Sequence, residues 1–127
     1  MLWLVKVALL SQCISLFNIL DRKMYKIGIN DFNDAIFEKI VVVLFGAEYS
    51  NDTTQVRDIL TSLEKDFPIE VVEFYEIDVD EYPQICDKFG IDSIPTTGIF
   101  KQAKAKVKID GVKDKEVFKQ ILENYLK

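Results

Sequence analysis

Side chains able to do covalent chemistry are scarce in this chain. It has two cysteines, Cys13 and Cys86, and no histidine. Neither cysteine belongs to a Cys-x-x-Cys pair, so no disulfide framework and no zinc spacing is present. Without histidine, the commonest general base and metal ligand is missing, and a Cys-His or Ser-His mechanism is not available within the chain. No metal or other cofactor is expected. The densest run of small polar groups is Ser50-Asn51-Asp52-Thr53, between Val41-Val42-Val43-Leu44-Phe45-Gly46-Ala47-Glu48-Tyr49 and Thr54-Gln55-Val56-Arg57-Asp58-Ile59-Leu60. Asp52-Thr53-Thr54-Gln55 fits a capping box in which Asp52 accepts from helix amides and Gln55 reaches back, an arrangement worth about 1 kcal/mol. Asn51-Asp52-Thr53 is also an N-glycosylation sequon, which matters only in a eukaryotic secretory pathway.

The elements that would position these residues can be read from periodicity. Ile40 to Gly46 is a continuous apolar run, the mark of a central strand buried on both faces. Val56, Ile59, Leu60, Leu63 and Phe67 recur at helical spacing after Asp52, and Pro68 stops that helix. Tyr25 to Ile29 reads as a short first strand, and Asn30-Asp31 caps a helix ending near Glu38. Ile69 to Val79 predicts another central strand, and Glu81 to Phe89 a short helix with Gly90 at its C-cap. Thr96 to Lys101 and Lys104 to Asp110 read as two strands joined tightly at Gln102-Ala103. The lysines 104, 106 and 108 fall on one strand face, where solvation and protection of a sheet edge explain them. Val117, Phe118, Ile121, Leu122, Tyr125 and Leu126 predict a C-terminal amphipathic helix.

The 127 residues, 49% hydrophobic and 29% charged, describe one domain with a sizeable core. The acidic balance argues against a nucleic-acid surface, which would need clustered Lys and Arg. Charge is uneven: residues 48 to 92 hold thirteen acids against three bases, and 101 to 127 hold eight bases against four acids. Solvated faces account for this at least as well as a basic partner on one side.

Three landmarks together resemble the thioredoxin family over residues 24 to 127. The first is the run from Val41 to Leu60, in which Ser50 and Thr53 stand in the two cysteine places and Tyr49 at a tryptophan place. The second is Asp78-Val79-Asp80-Glu81-Tyr82-Pro83, and the third is Lys88-Phe89-Gly90-Ile91-Asp92-Ser93-Ile94-Pro95-Thr96, similar to the segment around the family's cis-proline. The resemblance implies an α/β thioredoxin fold, a central mixed sheet with helices on both faces. It also places Leu44 where many thioredoxins keep a buried aspartate, Glu76 where its lysine partner would lie, and Gly46 at a tryptophan. In the Gln102-Ala103 turn the family usually has a glycine. Thioredoxin chemistry needs a thiolate at a helix N-terminus and a second thiol to resolve the mixed disulfide. Ser50 and Thr53 supply neither, so the resemblance implies a redox-inactive domain with no catalytic residue. The positions Ser50, Asn51, Asp52 and Thr53 become a degenerate active site.

Residues 1 to 23 form a separate apolar segment. Residues 2 to 20 are nearly long enough to span a bilayer, which takes about 20 residues. A signal peptide with n-region Met1 to Lys6 is one reading, although no small-x-small cleavage site follows. An uncleaved anchor is another, and Arg22, Lys23 and Lys26 would then hold the domain on the cytoplasmic side. Leu10-Ser11-Gln12-Cys13 is only a faint lipoprotein signal. Ser11, Gln12, Ser15 and Asn18 share one side of a helical wheel, which also fits an amphipathic docking helix. Translation from Met24 would leave residues 24 to 127 as a bare cytoplasmic domain; a translated segment points to the secretory pathway or a membrane.

The functional expectation is a non-catalytic domain, chaperone-like or a scaffold, that binds a protein or an extended peptide through a groove lined by Tyr49, Ser50, Ile94, Pro95, Thr96 and Gly111. The resemblance implies this groove, because a cis peptide at the matching proline exposes backbone that pairs with an extended strand. Two alternatives stand beside it. One is a residual thiol-disulfide oxidoreductase using Cys86 or a partner's cysteine; Cys86 is the candidate reactive thiol, with a small buried core residue as the competing reading. The other is a structural subunit of a larger assembly, similar to the small thioredoxin-fold proteins of the spliceosome.

Overall fold

The computed structural model describes residues 24–28, 32, 36 and 40–126. The apolar segment 1–23, Cys13 included, lies outside them, as does most of the helix expected between Asn30 and Glu38. At its two described positions, Phe32 N–H donates to the Gly28 carbonyl at 2.9 Å and Ile36 N–H to the Phe32 carbonyl at 3.2 Å, the spacing of helical bonds. Among the described residues no helix is long and apolar enough to cross a membrane.

The chain builds a five-stranded mixed sheet in the order β1-β3-β2-β4-β5. The strands are β1 (Tyr25–Lys26), β2 (Ile40–Gly46), β3 (Val72–Asp78), β4 (Thr96–Lys101) and β5 (Lys104–Asp110). The helices are α1 (Asn51–Glu64), α2 (Gln84–Phe89) and α3 (Lys115–Leu126). Strand β2 pairs parallel with β3 and antiparallel with β4, and all seven of its residues are buried. Its alternate side chains serve two cores. Val42 and Leu44 meet Val56, Leu60 and Leu63 of α1 and Phe118 and Leu122 of α3. Val41, Val43 and Phe45 meet Phe32, Ile36 and, from α2, Ile85. Helices therefore cover both faces, and the period-2 alternation of a strand explains how one apolar run feeds both.

Four phenylalanines tie α2 to the sheet. Phe89 lies edge-on to Phe100 with ring centroids 5.2 Å apart, and Phe32 lies edge-on to Phe89 at 5.4 Å and to Phe100 at 5.5 Å, while Phe45 packs tilted against Phe89 and Phe100. Edge-to-face rings add about 0.5–1.5 kcal/mol per pair beyond their burial. This cluster also fixes where the chain emerges from α2. Gly90 ends the helix at φ 65°, as expected of a C-cap, and Lys108 Nζ donates to the Phe89 and Gly90 carbonyls at 2.9 and 3.1 Å.

Several boundaries differ from the sequence reading, each for a local reason. Strand β3 begins at Val72 rather than Ile69, because the Val71 and Val72 amides donate to the Pro68 carbonyl and close a turn. Helix α2 begins at Gln84 rather than Glu81, because Asp78 holds the preceding turn: its carboxylate accepts from Asp80 N–H at 2.8 Å and its carbonyl from Tyr82 N–H at 3.0 Å. Helix α1 ends at Glu64, short of Pro68. The β4–β5 turn forms without glycine, with Gln102 at φ 53° and Ala103 at φ 67°. Ala103 N–H donates to the Ile36 carbonyl at 2.8 Å, which helps to hold the turn. A left-handed residue other than glycine costs about 1–2 kcal/mol. Exposed Gln102 is thus a point where stability can be gained: Gln102→Gly should stabilise the fold by about 0.5–1 kcal/mol and Gln102→Val should destabilise it, both read by urea denaturation.

Candidate functional site

The strand register brings the candidate residues to one end of the sheet. Gly46 at the end of β2 lies opposite Asp78 at the end of β3, Phe45 opposite Thr96 at the start of β4, and Thr96 opposite Asp110 at the end of β5. The loops leaving these strands carry Tyr49 and Ser50, then Ile94 and Pro95, then Gly111.

Ser50, not Asp52, is the N-cap of α1. Its backbone is extended at φ −89° and ψ 119°, and its Oγ accepts from Thr53 N–H at 3.1 Å. The Ser50 carbonyl accepts from Thr54 N–H at 3.2 Å and Thr54 Oγ1 at 3.4 Å. The capping box read from Asp52 to Gln55 is therefore displaced: the helix starts earlier, Asp52 sits exposed in its first turn, and Gln55 is exposed on the helix. The reason is the turn before it, where Ser50 N–H bonds the Ala47 carbonyl at 3.1 Å and sets Ser50 at the point of entry. Asp52 still lies where the helix dipole favours a negative charge.

Thr53 is fully buried, and its Oγ1 accepts from Ala47 N–H at 3.4 Å. A Cβ placed on Gly46 would meet Thr53 Cγ2 at 2.3 Å and Oγ1 at 2.9 Å. The two positions share one space: the branched threonine is accommodated because residue 46 has no side chain. Asn51 of the sequon is exposed while the Thr53 hydroxyl beside it is buried.

The second wall of the site is the Ile94–Pro95 bond, which is cis, followed by Thr96. Thr96 Oγ1 lies 2.7 Å from the Ser93 carbonyl and 3.0 Å from Asp110 Oδ1, and Gly111 N–H donates to the Pro95 carbonyl at 2.8 Å. These bonds lock the proline loop to the end of β5. Gly111 has φ 76° and open space where a Cβ would point. Pro95 and Thr96 are buried, whereas Ile94 is half-buried and, among the described residues, its N–H and C=O take no backbone partner. Tyr49 is 74% exposed and Val112 is exposed beside Gly111. Among the described residues Ile94 thus presents one backbone N–H and C=O without a backbone partner, near the exposed side chains of Tyr49 and Val112.

Beneath it runs a cross-strand row of Lys26, Glu76, Leu44, Thr97 and Ile109. Glu76 is only 2% exposed and is held by Arg57, whose Nε and guanidinium nitrogen donate to its two oxygens at 2.6 and 2.9 Å. That hydrogen bond raises the Arg57 guanidinium above its ordinary value, with burial working against it. Lys26 Nζ lies 3.9 Å from Glu76 and also pairs with Glu48 in the loop before Ser50. Leu44 is wholly buried, and its neighbour Thr97 keeps a buried Oγ1 without a hydrogen-bond partner among the described residues. The sequence reading missed Arg57: one basic residue on an amphipathic helix gives no sign of what it faces.

Cys86 lies on α2, on the sheet face opposite α1, half-buried against the phenylalanine side of the core. Burial pushes its thiol up, and the charges of Asp87 and Asp80 add to the shift. No group of residues able to hold a metal is present among the described residues.

A family model for thioredoxin matches residues 23–124. Among curated proteins, a thioredoxin from Chlamydia muridarum is 29% identical over 96 residues, covering 76% of this chain and 92% of that protein. The chloroplastic thioredoxin M4 of Arabidopsis thaliana is 34% identical over 86 residues, covering 68% of this chain and 44% of that protein. Among solved structures, a mutant thioredoxin from Halobacterium salinarum superposes with a TM-score of 0.75 at 20% identity, covering 84% of this chain and 93% of that one. Mitochondrial thioredoxin 3 of Saccharomyces cerevisiae superposes with a TM-score of 0.71 at 23% identity, covering 80% and 94%.

The Gly46–Thr53 contact makes a specific prediction. Gly46→Ala should destabilise the domain by about 1–3 kcal/mol through overpacking, and Thr53→Ala in the same chain should recover most of that loss. Thermal unfolding of the two single variants and the double variant checks this; purely additive losses would show that the two positions do not share space.

Proposed function

This chain belongs to the thioredoxin family, and from that premise we propose that it is a redox-inactive member that binds an extended peptide or protein segment in the groove between Tyr49 and Ile94. One observation carries the reading. The helix N-terminus holds hydrogen-bonding hydroxyls at Ser50 and Thr53, while the adjoining Ile94 backbone, among the described residues, remains unpaired beside exposed Tyr49. Hydroxyls cannot cycle through a disulfide. A free backbone edge flanked by an exposed aromatic is the requirement for strand addition, in which main-chain hydrogen bonds give affinity and side-chain contacts give selectivity. Family membership alone would invite a disulfide reductase, but function belongs to the site rather than to the fold. The role that follows is chaperone-like or scaffolding.

The test is a titration of isotope-labelled protein with an unlabelled, unstructured peptide rich in Val and Ala. Amide shifts should concentrate at Tyr49, Ile94 and Gly111, and Tyr49→Ala with Val112→Ala should weaken binding about tenfold. Shifts scattered over other surfaces, or none, would overturn the groove reading.

The alternative of a residual oxidoreductase using Cys86 is disfavoured by the raised thiol. In a Cys13→Ser background, iodoacetamide should modify Cys86 more slowly at neutral pH than it modifies a free-cysteine peptide. The rate should rise with pH and level off only above the ordinary thiol range, because a raised pKa leaves less thiolate at any lower pH. Rapid alkylation at neutral pH, together with insulin reduction lost on Cys86→Ser, would restore the enzymatic alternative.

A further inference from the structure

The uneven charge of the sequence becomes directional in the fold. The parallel ends of β2 and β3, the start of β4 and the end of β5 share one end of the sheet, so the loops there collect Glu48, Asp52, Asp80, Glu81, Asp92 and Asp110 around the groove. All six are exposed. Among the described residues two cations lie at the same end: Lys26, which is taken up by Glu48 and Glu76, and Lys113, which follows Gly111 by two positions. Other lysines of the C-terminal part lie along β5 and α3, where Lys108 caps α2 and Lys115 binds Asp66 and Ser62.

We propose that the groove selects a basic partner: an extended segment whose small or branched apolar residues lie against Tyr49, Ile94 and Val112, with Lys or Arg on either side. This rests on the groove reading above and adds the class of ligand. The independent observations meet at one place. The unpaired Ile94 backbone and Tyr49 specify an extended occupant, and the carboxylates around them specify its charge. Asp80, Glu81 and Asp92 are offered to the ligand, whereas Asp110 is engaged by Thr96 and Glu48 by Lys26. A single exposed ion pair is weak, but several carboxylates of one sign around a groove produce a field that attracts cations and repels acidic segments.

Three fluorescein-labelled peptides with the same Val-Ala core, flanked by two lysines, two serines or two glutamates on each side, test this by fluorescence anisotropy. At low ionic strength the lysine peptide should bind about tenfold more tightly than the glutamate peptide, with the serine peptide between them. The difference should fall below about threefold in 1 M salt, where the Debye length is about 3 Å. In Asp80→Asn/Glu81→Gln/Asp92→Asn the three affinities should converge without added salt. Equal binding of all three peptides by the wild-type domain, or preference for the glutamate peptide, overturns the charge inference and leaves the groove standing. Binding of none of them, the serine peptide included, removes the groove reading itself. Salt-sensitive self-association abolished by the triple variant would assign the site to a second copy, with its lysine-rich β5, and overturn the peptide ligand.

Discussion

Strand β2 has no side that can face water. Its seven residues are buried and its two neighbours run in opposite senses, so the rest of the chain must supply a strand on each edge and a helix layer on each face. Burying a Val, Leu or Phe side chain is worth about 1.5–3 kcal/mol, and β2 contributes Val41, Val42, Val43, Leu44 and Phe45 in succession. This demand determines where the site forms. The strand ends at Gly46, the chain turns through Ala47 and Ser50, and α1 must return across the sheet to cover Val42 and Leu44. The N-terminus of α1 is consequently held beside the start of β4, whatever residues occupy it.

That constraint fixes the entrance to α1, and the residues there are engaged with one another. The loop carries a capping serine and a buried threonine, and both hydroxyls are used in local hydrogen bonds. The fit extends beyond the loop. A threonine side chain is branched at Cβ, and it fits at position 53 because position 46 is glycine. Leu44 completes the apolar core where a carboxylate would need a partner, while its neighbour Thr97 has a buried hydroxyl that is unpaired among the described residues.

The buried charge at Glu76 has a different solution. A carboxylate almost fully removed from water is strongly destabilising unless it is matched by a cation with good hydrogen-bond geometry. Arg57 provides two hydrogen bonds to it from α1, and Lys26 links it through Glu48 to the loop that enters the site. Helix α1 is thus fastened to the sheet by an ion pair as well as by its apolar face. Arginine suits this place because its fork presents two donors at once and its charge is not lost near neutral pH.

Much of this architecture was legible in the sequence because its signals are local and periodic. The apolar run Ile40 to Gly46, the helical spacing from Val56 to Leu63, the Gly90 cap and the paired strands Thr96–Lys101 and Lys104–Asp110 appear where the residue pattern puts them. Boundaries set by hydrogen bonds to a particular carbonyl were not legible: the start of β3 depends on Pro68, that of α2 on Asp78, and that of α1 on Ser50 rather than the equally suitable Asp52. The sequence by itself determined the two-sided central strand, the helices that cover it and the absence of a cysteine pair before α1, since each follows from residue type and spacing along the chain. Only the tertiary structure decided that Thr53 fills the space above Gly46, that Arg57 neutralises Glu76 and that acids separated along the chain gather at one end of the sheet. Those relations depend on strand register and on the crossing of a helix over a sheet, which bring distant residues together without leaving a periodic trace.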